Sequence, residues 1–103
     1  MNDGPPIALG WVDPEAPALD WSMAQVRRLA RRLGYHLVWA PDRSRIPLVD
    51  QVREVGAEAV IAPSTMHFDF MTLNSLMAIA DVETVHPRLS FARWATKPPA
   101  EDR

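Results

Sequence analysis

The chain has 103 residues, which fits one core and leaves no room for a second. Its 48% hydrophobic content argues against general disorder, its net charge of −2 gives no global attraction for nucleic acid, and its lack of cysteine removes disulfides and thiolate chemistry. No apolar run nears the roughly 20 residues of a membrane span, and MNDGPP has neither the basic nor the apolar part of a signal peptide. A cytoplasmic protein is expected, with no membrane partner.

Residues 1–6 read as a loose end. Residues 7–12, an apolar run, read as a buried strand. Asp13-Pro14-Glu15 opens a loop to Leu19. Asp20 is a candidate helix N-cap, followed by an apolar stripe at Met23, Val26, Leu29, Ala30 and Leu33, with Gly34 at the position of a helix-ending residue. Residues 35–39 read as a second strand, stopped by Pro41. Ser44 can cap a second helix with Leu48, Val49, Val52 and Val55 on its apolar face and Gly56 as its stop. Residues 57–62 read as a third strand of the kind covered on both faces. Asp69 can cap a third helix reaching Ala80, and residues 82–85 form a short fourth strand before His86-Pro87. Residues 88–94 are either extended or one helical turn.

This β-α-β-α-β-α-β alternation predicts a small four-stranded parallel sheet, order 2-1-3-4, with helices on both faces. One domain is expected over residues 1–95, and a disordered tail over 96–103. Ligands of such sheets bind beyond the carboxyl ends of the strands. The rim so predicted gathers Asp13, Glu15, Arg45, Ser64 and His67. Ser64, His67 and an acid have the right types for acyl transfer, but Ser64 lies in A-P-S-T-M and no G-x-S-x-G elbow exists. His36, His67 and His86 lack paired metal-ligand spacing, and the chain holds no glycine-rich phosphate loop. No metal and no cofactor are expected.

Two surface features stand out. Arg27, Arg28, Arg31 and Arg32 make two i, i+4 pairs, either a docking patch for an acidic partner or nucleic acid, or a solvated face favoured by the helix dipole. Nucleic acid is the least favoured partner. The third helix and its flanks carry more apolar residues than one stripe can hold. Phe68, Phe70 and Met71 are either covered by the segment with Trp94 or form a surface for a protein partner, foremost a second copy of the chain.

The run G-W-V after the first strand, the arginine-rich helix ending L-G-Y, the D-R-S loop and A-V-I-A-P-S together resemble the catalytic domain of serine recombinases, the resolvase/invertase family, over residues 7–68. The resemblance implies a flavodoxin-like α/β fold, a nucleophilic serine and phosphate-binding arginines. It places Trp11 at an aromatic position, Asp13 at an arginine position and Glu15 at the serine position, while Met66-His67-Phe68 occupies a loop where another arginine is implied. A long dimerisation helix and a DNA-binding domain are implied as well, and neither lies in these residues. Transfer of a phosphodiester through serine needs a hydroxyl and cations. Glu15 has no hydroxyl and Asp13 repels phosphate. The expectation is a pseudoenzyme: a non-catalytic, resolvase-like domain acting by protein contact or self-association. The alternative is a small-ligand or enzymatic site at the rim.

Overall fold

The computed structural model describes residues 4–41 and 45–93. Its elements in order are β1 (Ile7–Gly10), α1 (Leu19–Leu33), β2 (His36–Trp39), α2 (Leu48–Val55), β3 (Ala59–Ala62), a 3₁₀ turn (Thr65–His67), α3 (Phe70–Met77), β4 (Asp81–Thr84) and β5 (Leu89–Phe91). The α/β class holds. The sheet has five strands rather than four, in the order β2-β1-β3-β4-β5. The four expected strands pair in parallel, and β5 runs antiparallel to β4, with Val82 opposite Phe91 and Thr84 opposite Leu89. The segment left open between strand and helical turn is thus a strand. Thr84 makes the reversal, its Oγ1 donating to Pro87 O at 2.7 Å and accepting from Leu89 N at 3.2 Å.

Strand alternation divides the core in two. Ala8, Val12, Ala59 and Ile61 meet Val26, Leu29 and Ala30 of α1. On the other face Leu9, Val60 and Val82 meet Val52 of α2 and Leu76 of α3. Leu73, Leu76 and Met77 of α3, with Ala80 just after it, lie in this second core. β3 is buried at every residue, which is why it reads as a run of small and branched side chains with no alternation.

The helix ends show where local chemistry decides. Gly34 and Gly56 close α1 and α2 at φ 83° and 68°, values that suit glycine. Asp69 caps α3, its Oδ1 accepting from Thr72 N at 2.7 Å. Asp20 does not cap α1: the cap position is Ala18, left-handed at φ 55°, and Asp20 lies inside the first turn, where its charge suits the helix dipole. Pro47 precedes α2 at the cap position, and Ser44, the expected cap, lies outside the described residues. No helix among the described residues is long and apolar enough to cross a membrane.

Candidate functional site

β1 and β3 deliver their following loops to the same end of the sheet, and those loops are bonded together. Trp11 Nε1 donates to His67 O at 2.7 Å, and Asp13 N donates to His67 Nδ1 at 3.0 Å. His67 therefore accepts at Nδ1, so its neutral form carries the ring proton on Nε2. Partial burial lowers its pKa, against a smaller opposing pull from Asp13. Burial disfavours the charged form of the imidazole, and the ring serves as a fastener between two loops.

The acidic loop is turn chemistry. Asp13 Oδ1 accepts from Glu15 N at 2.9 Å, and Asp13 O accepts from Ala16 N at 2.9 Å. Pro14 and Glu15 are exposed, and the Asp13 carboxylate is tied to its own turn. Ser64 is similarly committed: its Oγ accepts from Met66 N at 3.2 Å and caps the 3₁₀ turn. Of the predicted rim, Asp13 and His67 come together. Glu15 and Arg45 are exposed, and no ion pair joins them or ties either to the other rim residues. A cleft of about 210 Å³ opens beside His67, lined also by Trp11, Leu48, Phe68, Asp69 and Thr72. Among the described residues no group of three or more histidines or acids stands close enough to hold a metal ion.

Phe68 is half-buried: it packs on the Leu9–Val52 core and lines the cleft beside His67, so it offers less to a partner than the sequence suggests. Phe70 and Met71 are 79% and 74% exposed, and Met66, which the sequence reading passed over, is 89% exposed. The signal for Met66 was available: it lies two residues after a capping serine, where a short turn has no buried face. Phe70 begins α3, one residue past its cap, so its side chain has no helical turn before it to lie on. Trp94 lies outside the described residues. Arg93, just before it, is bonded to Asp81 through its N–H at 2.7 Å, at the amino end of the sheet and opposite to Phe70. Beside Met71 a groove of about 450 Å³ runs between α2 and α3, bordered by Leu48, Val49, Thr72 and Ser75.

A polar cluster on the α1 side of β4 also escaped the sequence reading. Glu83 is 7% exposed in the middle of a strand. Its Oε2 accepts from Ser90 Oγ at 3.0 Å, and Arg88 Nη2 stands 2.9 Å from Oε1, off the line of a hydrogen bond. Arg88 is held in turn by Leu89 O at 2.6 Å. Burial chiefly raises the Tyr35 pKa, with Asp81, Glu83 and Glu58 adding to it. The signal was the alternation itself: in D-V-E-T, valine faces one core and the acids face the other side.

Arg27, Arg28, Arg31 and Arg32 are all exposed, and none is in an ion pair among the described residues. No family model, no curated protein and no solved structure matches this chain.

Proposed function

We propose that this chain is a non-catalytic α/β domain that works by protein–protein contact, and that its first partner is a second copy of itself. The observation that carries the reading is the exposure of Met66, Phe70 and Met71, three large apolar side chains within six residues. A monomer rarely leaves such a cluster to water without a use for it. Exposed Phe70 directly precedes Met71, which borders the α2–α3 groove, so a projection and a recess lie side by side in the chain. Knob and recess on one face are what a two-fold interface needs.

The rim chemistry supports the non-catalytic half. The side chains of Asp13 and Ser64 and the Nδ1 of His67 are already engaged in holding loops. At the positions where the serine recombinase resemblance requires a guanidinium and a hydroxyl, this chain has Asp13 and Glu15.

Sedimentation velocity across the micromolar range tests the reading. The native chain should associate with rising concentration, and Phe70→Ser with Met71→Ser should return it to a monomer with unchanged circular dichroism. A native chain that stays monomeric at 100 μM, on the order of the weakest useful self-affinity, ends the proposal.

A further inference from the structure

Among the described residues β2 is an edge strand, with no strand paired on its outer side. His36 N donates to Pro6 O and Ala40 N donates to Gly10 O, so the even-numbered peptide groups of β2 face β1. The N–H and C=O groups of Leu37 and Trp39 therefore point away from the sheet. Natural edges are commonly blunted by proline, lysine or a bulge. Here Pro41 limits how far pairing could extend past Trp39, and within His36–Trp39 no such device is present.

Grooves flank this edge on both faces. On the α1 side a groove of about 280 Å³ is lined by Arg27, Arg31, His36, Leu37 and Trp39. On the α2 side one of about 240 Å³ is lined by Val38, Ile46, Val55 and Gln51 among others. That second groove is mostly apolar but takes in the exposed Glu54, which favours uncharged residues over acids there, and it holds one unmet demand. Gln51 is 7% exposed, its Nε2 donates to Ile46 O, and its Oε1 has no hydrogen-bond partner among the described residues. An added strand points successive side chains to alternate faces. Here one set would meet two guanidinium groups with no ion pair among the described residues, and the other a mostly apolar trough with Glu54 and a buried acceptor.

We propose that β2 takes up an extended acidic segment of a partner protein as a sixth strand, with acids on the Arg27–Arg31 side and apolar or hydroxyl-bearing residues on the Gln51 side. Charge selects this occupant over a second copy. Antiparallel pairing of two β2 strands places a two-fold axis through the sheet and brings the two α1 helices side by side. Arg27 and Arg31 of each copy would then face their own counterparts, a like-charge contact. An acidic strand meets the same arginines as partners. The site is separate from the Met66–Phe70–Met71 surface.

Fluorescence anisotropy with a labelled peptide, Glu-Val-Glu-Thr-Glu-Val-Glu, is the test. The native chain should bind it at least about tenfold more tightly than the matching peptide with lysine for glutamate. Arg27→Glu with Arg31→Glu, both exposed positions, should reverse that preference. Methylating the peptide nitrogens along one edge should cost about tenfold or more, because strand pairing needs those donors while charge attraction does not. Phe70→Ser with Met71→Ser should leave binding unchanged, so this outcome is independent of self-association. Equal binding of the two peptides, or indifference to methylation, overturns the proposal. So does dimerisation that Leu37→Pro abolishes, since it would give the edge to a second copy.

Discussion

The two faces of the sheet are covered differently. α2 and α3 share one face, where Leu76 of α3 meets Leu9, Val60 and Val82 of the sheet, all essentially sealed from water. Among the described residues the other face has α1 alone, packed across β2, β1 and β3. Where that cover ends, the strands change chemistry: β4 and β5 present Asp81, Glu83 and Ser90 in place of valine and isoleucine. A single helix about 10 Å wide covers two to three strands spaced about 4.8 Å apart, so five strands leave a remainder. This chain fills it with hydrogen-bonded polar groups, which keep Glu83 in place and remove the need for a fourth helix.

The sharpest way to break that comparison is to make the same deletion under each face. Leu76→Ala should cost about 2–5 kcal/mol, and Leu29→Ala, on the inner side of the lone helix, should fall lower in the same range. Urea melts of both variants decide it, and equal costs would mean that one helix covers as well as two. Next in size is Gly10→Ala. A Cβ there would stand 2.7 Å from Trp39 Cε3 and 3.2 Å from Leu37 Cδ1, so the variant should lose about 1–3 kcal/mol. Adding Trp39→Leu should restore part of the loss, because Trp39 lies on the open edge and the clash is with its ring.

The polar remainder is tested by Arg88→Ala, which leaves Glu83 facing its strand neighbours without a cation. A loss of about 1–2 kcal/mol is expected, discounted because Arg88 is itself partly exposed. Adding Glu83→Gln should recover some of it, and a double-mutant cycle measures the coupling. The smallest effect belongs to His67. Its folded pKa is depressed, so the unfolded chain binds more protons below about pH 6.5, and the stabilisation present above that value is lost as pH falls toward the folded pKa. Denaturant midpoints between pH 7.5 and 5 should fall less steeply in His67→Gln than in the native chain.

Most of the framework was legible in the sequence because it rests on local signals. Gly34 and Gly56 end helices where only a left-handed residue fits, Asp69 caps α3, and the all-apolar β3 announces a central strand. Features that depend on contacts far along the chain were not legible. β5 is three residues, Leu89-Ser90-Phe91, too short for a period, and it exists because Thr84 ties the turn that returns it. Asp20 looked like a cap because the left-handed bend at Ala18 has no sequence signature. At the rim, the residue types were read correctly but their use was not. Asp13 and His67 meet across 54 positions, with a backbone N–H as the donor, which no side-chain motif encodes. Phe68 and Phe70 looked equivalent in sequence, yet one packs on the core and the other opens α3 in water.

β5 also sets where the described segment ends. β1 starts at the amino end of the sheet, and because β5 reverses the chain, Arg93 returns to that same end beside Asp81 and Glu58. Both ends of the described segment therefore emerge on the side away from Phe70 and His67. The described segment is thus entered and left behind the sheet, and the His67 rim faces the opposite way, like the bristles of a brush set away from its handle.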